Sequence, residues 1–328
     1  MNVAFLTEMG FFGKIPSSHK NMRTEFAWMH ALDATHYYIY DYQTVKNYDV
    51  VCIIFPKGTT NLSADASQIR QSDNKDSKIF ASNITEVLKN NNKKVCFIQE
   101  GPCWFFNDYS ILDQFNYYNH IQNCDIIFTH NESDTKWYKG LFPGKKVEIM
   151  PTLMIETLIN NIQPISENKV IIGGNFSRWY GGFQSYIVAS HFKNSQTWTI
   201  DSHSKRPNEE NIPDLHHLPR LMWHDWMIHL SKFKYGVHLM PTIAAGTFSL
   251  NCAYFGIPCI GNIKVDTQKL CHPNLSVDVE DVENAVNLAE TLQDEKFYKE
   301  CSLSSKENYK KYFAVDVYRD KLNKILSQ

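Results

Sequence analysis

Residues Tyr235–Asn262 read YGVHLMPTIAAGTFSLNCAYFGIPCIGN. The run predicts strand, loop, helix, turn and strand in that order. Tyr235–Met240 is short and apolar, and Pro241 ends it because proline has no backbone donor for a ladder. Ala244–Gly246 is a loop of small residues, which lets backbone N–H groups approach an anion closely. Phe248–Phe255 follows as a helix, stopped by Gly256 and Pro258 before a second buried strand, Pro258–Gly261. A strand that feeds a glycine loop into a helix N-terminus is how doubly wound α/β domains hold phosphates. The same pattern is also an ordinary βαβ unit with a tight turn, so the flanking chain has to decide.

Working outward, the second half repeats this grammar. Lys169–Gly173 (KVIIG) is a strand, Gly174–Phe183 a glycine-aromatic loop, Gln184–Phe192 a helix and Thr197–Asp201 a strand. Asp201–Leu215 is polar loop, and Arg220–Phe233 an amphipathic helix leading into the quoted stretch. Helices are expected at Val282–Leu292, Glu295–Tyr309 and Asp316–Leu326. The first half opens on the strand Asn2–Thr7, the basic-polar loop Glu8–Asn21 and the helix Met22–Leu32. Strands His36–Tyr40 and Asp49–Phe55 precede a long polar loop, Pro56–Ser77. Helix Ile79–Asn90, strand Lys94–Gln99, helix Ser110–Ile121, strand Asp125–His130, a helix Ser133–Leu141 capped by Ser133, and Val147–Met150 complete it. A helical linker is expected at Leu153–Asn161. Strands alternating with helices imply mostly parallel sheets covered on both faces.

The 328 residues suit two such domains, and 43% hydrophobic content supports full cores. A formal net charge of −2 advertises no basic field for nucleic acid, although a local patch would be averaged away. Cys52, Cys96, Cys103, Cys124, Cys252, Cys259, Cys271 and Cys301 form no CxxC pair, which points to buried thiols in a reducing compartment. Met1–Gly10 carries Glu8 and no basic leader, so no signal peptide is expected. No apolar run approaches a membrane span. The expectation is a soluble, cytoplasmic, monomeric protein without membrane association.

The segments KVIIGGNF, HHLPRLMWHDW and the quoted stretch ending FGIPCIG resemble the nucleotide-sugar domain of GT-B glycosyltransferases. HKNMRTEFAWMHALDATHY, from His19, resembles the start of phage-encoded glycosyltransferases that decorate hydroxymethylated cytosine in DNA, in the arabinosyl- and glucosyltransferase branch. The resemblance implies an α/β GT-B fold, two Rossmann-like domains facing across a cleft. It implies an acceptor-binding domain at 1–155, a nucleotide-sugar domain at 156–310, and a C-terminal helix, 311–328, packing back on the first. The implied co-substrate is a UDP-sugar with no further cofactor or metal. The implied partner is double-stranded DNA carrying 5-hydroxymethylcytosine, and the compartment the host cytoplasm if phage-encoded.

Glu100 stands at the carboxyl end of an apolar strand, before Gly101-Pro102, where the resembled family has an acid acting as general base. A carboxylate there would take the acceptor's proton during an inverting displacement; the alternative is a structural cap or ion pair. Arg178 would pair with a diphosphate beside Gly174, or be a solvated loop residue. Gly246, Thr247 and Ser249 are candidate phosphate donors, the two hydroxyls being equally suited to capping. His217 and Leu218 precede the Pro219-Arg220 turn, where GT-B enzymes hold the nucleobase edge. Asn251 occupies the place of a ribose-binding glutamate, and can instead pack within its helix. His19, Lys20, Asn21 and Arg23 could grip acceptor phosphates or donor hydroxyls. Trp104, Phe105 and Phe106 could stack an extruded base or pack under the next helix. Lys57, Arg70, Lys75 and Lys78 could follow a DNA backbone, although acids are interspersed. His216-His217 finds no further ligand at metal-site spacing, and no DxD motif stands at a strand end. Two rival functions remain at this point: a GT-B transferase acting on a carbohydrate acceptor, and a non-catalytic nucleotide-sugar or DNA-binding module.

Overall fold

The computed structural model describes residues 1–7, 13–22, 24–55, 84–91, 93–99, 101–108, 111–177, 179–200 and 206–328. Glu100, Arg23, Arg178, the loop Pro56–Ser77 with Lys57, Arg70 and Lys75, and Lys78 lie outside the described residues, as does the Phe105 side chain. The chain divides into two compact units. The first comprises 1–17, 25–151 and 319–328; the second comprises 18–24 and 152–318.

The first unit is built on strands β1 (Val3–Thr7), β2 (Gly13–Lys14), β3 (Thr35–Tyr38), β4 (Val50–Ile53), β5 (Lys94–Ile98), β6 (Ile126–Thr129) and β7 (Lys146–Ile149). Their order is β2-β3-β1-β4-β5-β6-β7, parallel throughout except for the short β2, which runs antiparallel to β3. All five residues of β1 and all four of β4 are buried, as expected of central strands covered on both faces. Ala4, Leu6, Val51, Ile53, Val95, Phe97 and Ile127 share one core with Tyr117, Tyr138 and Phe142. The chain moves from β1 to β3 on one side and then to β4 on the other, so the strand order reverses between β1 and β4. The helix Val315–Ser327 ends in this unit. Lys94 Nζ donates to Leu326 O (2.8 Å), and Lys146 Nζ to Gln328 Oε1 (2.9 Å). These cations sit where the helix dipole favours positive charge.

The second unit holds β8 (Glu167–Ile172), β9 (Gln196–Ile200), β10 (Leu215–Leu218), β11 (Phe233–His238), β12 (Cys259–Asn262) and β13 (Ser276–Val277), all parallel in the order β10-β9-β8-β11-β12-β13. That is the doubly wound Rossmann order, with its reversal between β8 and β11. Val170, Ile172, Tyr235, Val237 and Ile260 form the sheet's side of the core.

Several local expectations are corrected. The helix before β11 covers Trp223–Leu230 rather than reaching Phe233, because its apolar stripe Trp223, Trp226, Met227 and Leu230 ends there and Phe233 begins the strand. The expected linker helix at Leu153–Asn161 is only a short turn, Glu156–Leu158. Leu153, Met154 and Ile155 are buried consecutively, which one helix face cannot accommodate, and Ile155 N bonds Met22 O instead (3.1 Å). The helix Glu132–Leu141 is capped by Asn131, whose side chain accepts from Asp134 N at 2.8 Å, and not by Ser133. The strand β10 begins within the stretch read as loop, its apolar ends Leu215 and Leu218 buried.

Candidate functional site

At the reversal of the second sheet, every close approach depends on a small residue. A Cβ on Gly173, at the end of β8, would lie 2.5 Å from His238 Cγ, so the glycine seats that imidazole. A Cβ on Gly174 would lie 2.7 Å from Tyr180 Cβ. Thr199 Oγ1 donates to Gly174 O (2.9 Å), tying this loop to β9. Ser185 Oγ donates to Gly181 O (2.8 Å) and accepts from Leu239 N (2.9 Å), tying it to β11. Arg178 falls inside the loop but outside the described residues.

The loop after β11 enters the helix Thr247–Phe255 through Gly246 at φ +70°. A Cβ there would meet Thr267 Oγ1 at 1.9 Å. The Gly246 carbonyl accepts from Leu250 N (3.2 Å), Ser249 Oγ (3.1 Å) and Thr267 Oγ1 (2.8 Å). Ser249 Oγ also lies 2.8 Å from Thr267 Oγ1. The Ser249 hydroxyl therefore braces the turn internally, while Thr247 Oγ1 donates to Thr152 Oγ1 (3.3 Å). The amides of the first helical turn have no partner within the helix, and the dipole favours an anion there. Gly246 and Ser249 also line a pocket with His238, Asn262 and Gln268.

Asn251 is 2% exposed, and its Oδ1 is buried without a hydrogen-bond partner among the described residues. His217 Nε2 lies 3.3 Å from Glu209 Oε1, and Leu218 is buried at the end of β10. His216 stacks on Trp198 with ring centroids 4.8 Å apart. Neighbouring histidines thus go to a carboxylate and an indole. Among the described residues no group of three or more His, Cys, Asp or Glu side chains could hold a metal.

The segment 18–24 belongs to this second unit, which sequence reasoning did not anticipate. Lys20 O accepts from His224 N (2.9 Å) at the start of the helix Trp223–Leu230, and Lys20 Nζ lies 4.0 Å from Asp225 Oδ1. Thr24 N donates to Leu153 O (3.1 Å), and Met22 is fully buried. His19, Lys20 and Asn21 are therefore fastened beside the second sheet.

In the first unit, the carboxyl ends of β5 and β6 meet around a buried acid. Gln99 Nε2 donates to Asp134 Oδ2 (2.8 Å) and to Gly101 O (2.6 Å), and Asn131 Nδ2 donates to Asp134 Oδ2 (2.9 Å). Asp134 is 2% exposed; burial pushes its carboxyl above the ordinary value, and hydrogen bonds from Gln99, Cys103 and Asn131 pull it back. Gln99 and Gly101, the sequence neighbours of Glu100, are held by this network. Trp104 is half-buried in the turn Cys103–Asp108, and Phe106 packs edge-on against Tyr117 and Trp137, so the aromatic run contributes at least Phe106 to the core.

By sequence the chain matches no family model and no curated protein. By structure it is similar to an alpha-glucosyltransferase (AGT) in complex with UDP, with TM-score 0.70 and 11% identity over 100% of both chains. An alpha-glucosyltransferase with UDP and a 13-mer DNA containing a HMU base gives TM-score 0.69 and 12% identity, again over 100% of both. Sucrose-phosphate synthase from Thermosynechococcus elongatus gives 0.62 and 11% identity, covering 100% of this chain and 99% of that one. The fold is α/β of the GT-B type, with two Rossmann-like units.

Proposed function

We propose that the chain is a UDP-sugar-dependent glycosyltransferase that moves a sugar of arabinose or glucose type to 5-hydroxymethylcytosine in double-stranded DNA. The observation that carries the donor half is the left-handed Gly246 turn at the reversal of the second sheet, which opens a helix whose first amides have no partner inside it and would suit an anion. Gly174 and Arg178 would complete the diphosphate contact, with Thr247 at the helix start; Ser249 would serve by holding the turn. His217 and Leu218 would face the nucleobase, and Asn251 the ribose side of the helix. The fastening of His19, Lys20 and Asn21 to the second unit supports contact with donor hydroxyls over acceptor phosphates.

The acceptor half is supported by the HKNMRTEF motif and by a structural neighbour solved with DNA. Glu100 is the proposed base. Its carboxylate takes the acceptor hydroxyl proton as that oxygen bonds the anomeric carbon, and the bond to UDP breaks with its electron pair leaving on the diphosphate. Trp104 and Phe105 would stack the extruded base. A second reading, transfer to a carbohydrate acceptor, is supported by the similarity to sucrose-phosphate synthase and by the near-neutral charge.

Incubating the protein with hydroxymethylated or unmodified DNA and a panel of UDP-sugars, then digesting and weighing the nucleosides, tests both. A mass gain on hydroxymethylcytosine alone is expected. No gain with any donor would sink the DNA assignment. An α product from an α donor would replace the single displacement by a retaining route and remove Glu100 as its base.

A further inference from the structure

We propose that the pocket at the carboxyl ends of β11 and β12 is a sugar-hydroxyl subsite, in which His238 and Gln268 bind the hydroxyls of the donor's ribose or of the sugar it carries. The inference rests on the donor role proposed for this unit.

A polar ledger of the lining leads there. None of the lining side chains carries a formal charge, since burial pushes His238 down to about 4 and leaves its ring neutral. Ser249 is spent on the Gly246 turn. Asn262 is spent too: its Nδ2 donates to Met240 O (2.8 Å), and its Oδ1 accepts from Lys264 N (2.8 Å). Two groups are left over. Gln268 Oε1 and His238 Nε2 are buried and have no hydrogen-bond partner among the described residues. Leaving such a group unpaired costs ~1–3 kcal/mol each, so two beside one pocket point to an occupant that pairs them.

The orientation of Gln268 decides what that occupant offers. Its Nε2 donates to Cys259 O (2.7 Å) and Leu275 O (3.3 Å), which fixes the amide and leaves only the carbonyl oxygen available. An acceptor cannot bond an ionised phosphate oxygen, which also only accepts. It needs an O–H or N–H. A neutral imidazole, with one donor and one acceptor nitrogen, suits a hydroxyl in either sense. Both side chains are seated by glycines: a Cβ on Gly261 would lie 2.7 Å from Gln268 Oε1, matching the 2.5 Å approach of Gly173 to His238. The phosphate-type helix start and a charge-free hydroxyl pocket thus share Gly246 and Ser249 as a common wall.

The test is calorimetric titration of the full chain with UDP and with UDP-glucose, for wild type, His238→Phe, His238→Gln and Gln268→Met. The His238 side chain makes no hydrogen bond among the described residues, so His238→Phe should fold, as far-UV circular dichroism would report. Should Gln268→Met fail to fold through loss of its bonds to Cys259 and Leu275, His238→Phe decides. Affinity is expected to fall about 10- to 100-fold for His238→Phe, with partial rescue by His238→Gln. Loss for UDP and UDP-glucose alike assigns the pocket to ribose, and loss for UDP-glucose alone assigns it to the transferred sugar. Wild-type affinity of His238→Phe for both ligands would overturn the subsite while leaving the donor reading intact. A wild-type chain that binds neither ligand would overturn the donor reading and the subsite together.

Discussion

The two sheets end differently. At the carboxyl ends of β5 and β6 the amide donors converge on one acid: Gln99 and Asn131 both donate to Asp134 Oδ2, and Asn131 returns a cap to Asp134 N, which leaves Gln99 Oε1 as a single buried oxygen without a partner among the described residues. Beside the ends of β11 and β12 two such atoms, His238 Nε2 and Gln268 Oε1, belong to residues that line one pocket and have no partner among the described residues. Both ends follow the same strand-loop-helix grammar. The difference teaches that one end spends its donors on a shared acid, whereas the other gathers two unpaired atoms at one pocket, where the proposed ligand would meet them.

The largest effect that would break this comparison is chemical. Glu100→Ala is expected to lower kcat for transfer ~10²- to 10⁴-fold while leaving UDP affinity unchanged, because the proposed base acts on the acceptor hydroxyl and not on the nucleotide. Mass spectrometry of digested DNA and calorimetry read the two quantities separately. Transfer that survives would remove Glu100 from the chemistry.

Acid should strain both units, and by a similar amount per histidine. His36 of the first unit and His272 of the second are buried, and burial lowers each from 6.5 to about 4. The folded state then binds fewer protons than the unfolded chain between those values, so stability is complete above pH 6.5 and falls as pH drops toward 4. Each site contributes up to ~3 kcal/mol of that loss. Urea midpoints measured from pH 7.5 to 4.5 should fall, and His272→Phe should flatten the slope. An unchanged slope would place a partner for the imidazolium in the acid state.

Asp134→Ala tests the shared acid directly. It removes the shared acceptor of Gln99 Nε2 and Asn131 Nδ2 and should destabilise the chain by ~2–3 kcal/mol, since one N–H of each buried amide loses its partner while Gln99 Nε2 keeps Gly101 O. UDP affinity should not move. A variant of wild-type stability would show that the network is dispensable.

The legible part of the fold was the apolar runs. Val3–Thr7 and Val50–Ile53 announce central strands by continuous burial-type residues, Tyr235–Met240 announces most of β11, and Gly256 announces a helix stop that the structure realises at φ +71°. Sequence alone could not deliver the open pocket. Gln268 lies in a stretch without any motif, and its significance comes from an amide pinned by Cys259 of β12 and by Leu275 of the turn before β13. His238 looked like one more position in an apolar strand until Gly173 was placed against it. The segment 18–24 was equally opaque, because its destination is set by backbone bonds to His224 and Leu153 that no side-chain pattern encodes.

The smallest effect sharpens the comparison most cleanly, because it pairs one glycine from each unit. Gly144 and Gly246 both have positive φ, at +82° and +70°. A Cβ on Gly144 meets nothing within 4 Å, whereas one on Gly246 runs into Thr267 Oγ1. Gly144→Ala should therefore cost only the left-handed backbone penalty, ~1 kcal/mol, and leave UDP affinity alone. Gly246→Ala adds a collision that Thr267 can relieve only by giving up its bond to the Gly246 carbonyl, for ~2 kcal/mol or more in total. The displaced turn should also weaken UDP binding, because the helix amides move with it. Equal losses for the two alanines would mean that the Gly246 turn is backbone conformation alone, and that the bracing by Ser249 and Thr267 does not set the geometry of the pocket end.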